Sequence, residues 1–161
     1  MYKRRGKEWA KQSSGTDVDL NDVTYGNGTF VAVGVGGTIL TSRDGKAWAK
    51  QSSGIDKELH DVTYGNGTFV VVGEEGGTIL TSRGGRKWTK QNSGTIVTLT
   101  GAAYGNGTFV VVGQYGTILT SKDGRKWTKQ NSGTKVTLSG AAYGNGTFVV
   151  VGYLSTILTS P

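Results

Sequence analysis

The chain has 161 residues, a formal net charge of +7 and no cysteine. That length is enough for one domain with its own core, and the missing cysteines exclude disulfides, thiolate metal sites and thiol nucleophiles. The only histidine, His60, leaves no multi-histidine metal site and little room for a Ser-His-Asp triad.

The first segment, "MYKRRGKEW", is basic and has no apolar stretch behind it, so no signal peptide is expected in this chain. The longest apolar runs, such as "FVVV" at Phe69 to Val72, fall far short of the ~20 residues of a membrane span. The next segment, "GKEWAKQSSG", returns as "GKAWAKQSSG" ending at Gly54, and reads as a strand. From Leu20 the elements repeat. "LNDVTYG" is strand a. Asn27-Gly28 supplies the positive φ angles of a type I′ turn, which suits the twist of paired strands. "TFVAVG" is strand b, apolar on consecutive positions and therefore buried on both faces. "VGG" leads to strand c, "TILTS"; Asp44-Gly45 turns the chain into strand d, "KAWAKQS".

The motif "YGNGTF" recurs at Tyr25, Tyr64, Tyr104 and Tyr143, at intervals of 39, 40 and 39 residues, and Trp9, Trp48, Trp88 and Trp127 keep the same intervals. The extra residue lies at Glu74-Glu75. A period near 40 with no helical apolar stripe is that of a four-stranded propeller blade. The fold expected is all-β: a β-propeller of four-stranded antiparallel blades. Full blades are expected at 16–54, 55–94 and 95–133, with strands a–c of a closing blade at 134–161. Residues 1–15 would be its outer strand, fastening the ring and covering a free edge.

"TSRDGKAW" (Thr41 to Trp48) and "TSKDGRKW" (Thr120 to Trp127) resemble the Asp-box of bacterial neuraminidase-type repeats. The wider "FVAVGxxGTILTSxDGxxW" pattern is similar to the repeats of photosystem II assembly-factor-like propellers and related bacterial surface proteins, which are often extracytoplasmic. The resemblance covers nearly the whole chain. It implies structural roles: Asp44 and Asp123 tie the c–d turns, and Trp48 and Trp127 pack between sheets. Two departures stand out, since Gly84 replaces the aspartate in one turn and Arg5 in another. Sialidase chemistry does not carry over, because the six arginines lie on or beside c–d turns rather than converging from different blades. No enzyme activity and no cofactor are expected.

Two closures are open: a four-bladed ring of one chain, or two chains joined head to tail in eight blades, with each N-terminal strand completing the partner's last blade. All of the 18 lysines and arginines except Lys57 and Lys135 fall in c–d turns or strand d. Edge protection explains such a rim; so does binding of an acidic polymer. Four tryptophans are expected to be buried, which leaves no stacking platform for sequence-specific nucleic acid. The acids gather instead in d–a and b–c segments. The weak binding candidates are Asp19, Asp22, Asp56, Glu58, His60 and Asp61, with Tyr115 and Tyr153 in b–c connections. "DVDLND" at Asp17 to Asp22 lacks the later glycine and glutamate of a calcium loop, so no metal site is assigned. The functional reading is a non-catalytic propeller scaffold or binding module, either natural or assembled from amplified blades without a selected ligand. The alternative is a glycan-binding or polyanion-binding propeller of a bacterial surface.

Overall fold

The computed structural model describes residues 8–74 and 76–161. The first blade is β1 (Leu20–Gly26), β2 (Thr29–Gly34), β3 (Ile39–Ser42) and β4 (Ala49–Gln51). The second is β5 (Leu59–Gly65), β6 (Thr68–Gly73), β7 (Ile79–Ser82) and β8 (Thr89–Gln91). The third is β9 (Leu99–Gly105), β10 (Thr108–Gly113), β11 (Ile118–Ser121) and β12 (Thr128–Gln130). The fourth holds β13 (Leu138–Gly144), β14 (Thr147–Gly152) and β15 (Ile157–Thr159). Each sheet is an antiparallel meander in chain order, four-stranded in the first three blades and three-stranded in the last.

The repeated motif makes the same hairpin four times. Asn27 and Gly28 have φ of 49° and 75°, the turn that "NG" favours, so Gly26 pairs with Thr29 and Tyr25 with Phe30. The rings of Tyr25 and Phe30 meet at a tilt with centroids 4.6 Å apart, and the other three hairpins repeat the contact. Strand b is buried on both faces as its sequence requires: Val31 and Val33 point one way, Ala32 the other, and all three are out of solvent.

The core lies between blades rather than within them. Val31, Val33 and Ile39 of blade one meet Leu59, Phe69 and Leu80 of blade two, with Trp88 against the cluster. Val70, Val72 and Ile79 meet Leu99, Phe109 and Leu119 in the same way, with Trp127. The inner strands pack in the order β1, β5, β9, β13, and no comparable packing joins β13 back to β1.

The c–d turns follow the Asp-box expectation. Asp44 Oδ1 accepts from the amides of Lys46 (2.8 Å) and Ala47 (3.0 Å), while Ser42 Oγ accepts from the Gly45 amide at 2.8 Å. Trp48 Nε1 donates to the Gly45 carbonyl at 3.1 Å. Asp123 repeats this with Arg125, Lys126, Ser121 and Trp127. These amide bonds hold both carboxyls below the usual aspartate range. The Gly84 turn keeps the serine and tryptophan bonds without the carboxylate. Nothing lies within 4 Å of a Cβ built there, so Gly84→Asp has room to serve the amides of Arg86 and Lys87. We expect it to stabilise the fold by ~0.5–1 kcal/mol, read as a rise of about 2 °C in Tm. An unchanged or lower Tm counts against that account of the turn.

Two expectations at the chain start meet a different picture. Arg5 lies outside the described residues. Residues 8–13 form no strand, and Trp9 is fully exposed where burial was expected of every tryptophan. The reason is the missing neighbour: Trp48, Trp88 and Trp127 cap their own c–d turns, whereas the segment of Trp9 has no sheet beside it. Strand d is also shorter than its sequence suggests, beginning after the tryptophan at Ala49, Thr89 and Thr128.

Candidate functional site

Three places gather polar or aromatic groups. The first is the inner strands. Asp22 Oδ2 accepts from the amide of Val62 at 3.0 Å, and Asp61 Oδ2 from the amide of Ala102 at 2.8 Å. Each carboxylate thus ties its own blade to the next. One position before Asp22 in β1, Asn21 Nδ2 donates to the Leu59 carbonyl at 2.7 Å; at the equivalent position of β9, Thr100 Oγ1 donates to that of Leu138 at 2.5 Å. The Val62 amide is shared between Asp22 Oδ2 and Asp61 Oδ1, each at 3.0 Å, which sets the two carboxyls side by side. Burial first, then the hydrogen bond and charge of Asp22, push the Asp61 carboxyl up to about 8. A like charge beside Asp61 disfavours its ionised form, in the same direction as burial.

The second is the d–a and b–c face of blade two. One ligand atom each from Glu58, His60 and Glu74 lie within 4.8 Å of one another, all half-buried. The donor set would suit a divalent cation, but Glu58 Oε1 already accepts from Asn21 Nδ2 at 3.1 Å. Asp19 and Asp56 are exposed, and Asp19 contributes its carbonyl, which accepts from the Val35 amide at 3.0 Å.

The third is the pair of b–c tips in blades three and four. Tyr115 has φ of 58°, at the place where blade one has Gly36 with φ of 71°. It is 73% exposed. Tyr153 is exposed, and Leu154, at φ of 54°, is more so. The two tyrosines sit on separate tips and do not touch.

Of the residues picked out by sequence, the fold unites Asp22 with Asp61, and Glu58 with His60. It leaves Asp19, Asp56, Tyr115 and Tyr153 apart. Sequence reasoning missed Glu74, Asn21 and Thr100. For Asn21 and Thr100 the signal was the repeat: they occupy one position of strand a, shared with His60 and Ser139, and both reach the following blade.

Cations and grooves mark the rim. Arg83, Lys87 and Arg125 line a groove of about 640 Å³ between the c–d turns of blades two and three. Arg43 and Arg86 line its equivalent, of about 440 Å³, between blades one and two.

No family model matches the chain, and no curated protein does. Solved structures do. YCF48 from Cyanidioschyzon merolae superposes with a TM-score of 0.69 at 18% identity, over 91% of this chain and 54% of that one. A structure of YCF48 bound to D1 peptide gives the same TM-score and identity. The computationally designed Ika4 protein gives 0.76 at 15% identity, over 96% of this chain and 98% of that one. A glycosyl hydrolase from Bacteroides ovatus gives 0.51 at 14% identity, over 84% of this chain and 60% of that one. This chain spans about half the length of YCF48. At these identities the likeness shows the fold: the repeats are β-propeller blades.

Proposed function

We propose that this chain is a non-catalytic β-propeller scaffold that binds its partner at the b–c tips. The observation that carries the reading is Tyr115. A tyrosine held at positive φ is strained by roughly 1 kcal/mol or more relative to glycine, and here the strain displays an aromatic ring to solvent. Tyr153 and Leu154 repeat the display one blade on. Chemistry finds less support, because the buried polar side chains among the described residues all have partners and the axial carboxylates are occupied in joining blades. YCF48 has been solved with a D1 peptide, so peptides are the first ligand class to try, with glycans second. The test is a peptide library and a glycan array, each probed with the parent and with a Tyr115→Ala/Tyr153→Ala variant. Hits that the double variant loses support the reading; hits that it keeps overturn the placement. Turnover of fluorogenic glycosides above background would overturn the non-catalytic assignment.

A second reading rests on the cationic rim grooves. There the ligand is a polyanion, bound through Arg83, Lys87 and Arg125. Retention on heparin is expected to vanish between roughly 50 and 200 mM salt, as charges are screened, and Arg83→Ala/Arg125→Ala is expected to elute earlier. An unchanged elution position for that variant would leave the rim as edge protection.

A further inference from the structure

The two ends of the blade array carry complementary surfaces. In each internal interface, a tyrosine ring from one blade lies on the glycine that ends strand a of the blade before it. A Cβ on Gly26 would meet the ring of Tyr64, one on Gly65 the ring of Tyr104, and one on Gly105 the ring of Tyr143. At the last blade the glycine is Gly144, and nothing lies within 4 Å of it. At the first blade the tyrosine is Tyr25, 55% exposed with no glycine under it. The slot is free at one end of the chain and its occupant is free at the other.

The surrounding residues agree. Leu20 and Val23 are exposed, while Leu59 and Val62, which hold the same positions in blade two, are buried. Val149, Val151 and Ile157 are exposed, while Val31, Val33 and Ile39 in blade one are fully buried. The c–d turns interlock likewise: Gly85 rests on Thr29, Val31 and Thr41 of the preceding blade, and Gly124 on Thr68, Val70 and Thr81. Gly45 touches only Phe30 of its own blade. Between β11 and β15 a cavity of about 440 Å³ opens, lined by Val110, Phe148 and Leu158. In the other interfaces a tryptophan packs against the equivalent residues.

Four blades do not bring these ends together, since β13 does not pack on β1. A second copy does, by repeating the contact already present three times. Because the contact is head to tail, it must close or grow indefinitely. Propeller rings hold typically 4–8 blades, and two copies of these four blades make eight. We propose that two copies of this chain form one eight-bladed ring. In it, Tyr25 of each copy covers Gly144 of the other, and the segment carrying Trp9 enters the cavity between the other's third and fourth blades.

The repeat fixes the register of that segment. Leu40 pairs with Lys50 and Thr41 with Ala49, so Leu158 should pair with Lys11, and Thr159 with Ala10, of the second copy. The b–c loop at Ser155 has to shift to admit it. A Cβ at the corresponding Gly37 or Gly116 would strike the carbonyl of Ile55 or Thr134, and Ser155 carries one.

Light scattering should give the parent twice the 16.9 kDa of one chain; the mass of one chain overturns the proposal. Gly144→Ala meets nothing within a single copy, so its circular dichroism should stay that of the parent. It should weaken the dimer by about tenfold or more. A dimer as tight as the parent's shows that Tyr25 does not use the slot. Ser155→Gly should tighten association, and weaker association overturns the placement of the Trp9 segment. Ala10→Cys/Thr159→Cys, in a chain with no cysteine of its own, should oxidise to a covalent dimer. A disulfide within one chain returns the segment to its own blade, and no disulfide at dimer mass overturns the segment's placement while leaving Tyr25 on Gly144. None of these outcomes depends on a ligand at Tyr115, so this proposal and the binding reading fail separately.

Discussion

Gly105→Ala is expected to lower Tm by about 5–10 °C, with unfolding still cooperative. The added Cβ would run into Cγ of Tyr143, and that ring has Phe148 against it, centroids 4.8 Å apart, which limits how far it can swing aside. Blades three and four would have to separate, exposing Val110, Val112, Leu138 and Val150. Overpacking of this kind costs ~1–3 kcal/mol, and in a chain of this size each kcal/mol moves Tm by about 2–4 °C. The backbone at Gly105 is ordinary extended strand, so the loss cannot be put down to a strained φ. A thermal melt that matches the parent's would mean that the ring gives way and that the glycine-tyrosine contact is not what spaces the blades.

The second large effect is a stability that declines as pH rises. Asp61 keeps its proton in the folded chain up to about pH 8, whereas in the unfolded chain it loses it near 4. Between those values the folded state binds the extra proton, so stability is greatest at the acid end of the window and falls as pH climbs through it. The decline is on the order of 3 kcal/mol, less than the full shift implies because Asp61 is not fully buried and solvent screens it. Asp44 and Asp123 work in the other direction and at lower pH, since their carboxyls are held down and their contribution is lost only in acid. Asp61→Asn retains a carbonyl oxygen for the Ala102 amide and offers an NH₂ to Asp22, with no proton to lose. Urea melts at pH 5 and pH 8.5 should show a large drop for the parent and a small one for the variant, which should then be the more stable of the two at pH 8.5. Parallel pH profiles would remove Asp61 from this role.

Much of the fold could be read from the sequence because its determinants are local. Asn-Gly fixes a hairpin whatever surrounds it, the run "TFVVVG" has no polar face to present to water, and Ser-x-Asp-Gly carries its own turn bonds. Partners one blade away were harder to read. Asp22 finds its partner 40 residues on, at Val62, and nothing in "LNDVTYG" says whether that aspartate faces solvent or a neighbouring amide. Gly101 replaces it in blade three, and there Thr100 alone reaches across. Trp9 and Tyr25 make the same point. Each is spelled like its equivalents in the later blades, yet each is exposed, because no blade among the described residues lies against it. Exposure at Tyr115 was equally hidden, since only the φ of its backbone separates it from a loop residue packed inward.

The interface built from a tyrosine on a glycine has a consequence for how such a chain can change over generations. Every seam uses the same parts, and "AAYGNGTFVVVG" stands unaltered at Ala102 to Gly113 and again at Ala141 to Gly152. A unit can therefore be duplicated, deleted or moved to the other end without any new contact having to arise. What such an event alters is the number of units, and with it which tyrosine and which glycine are left uncovered at the two ends.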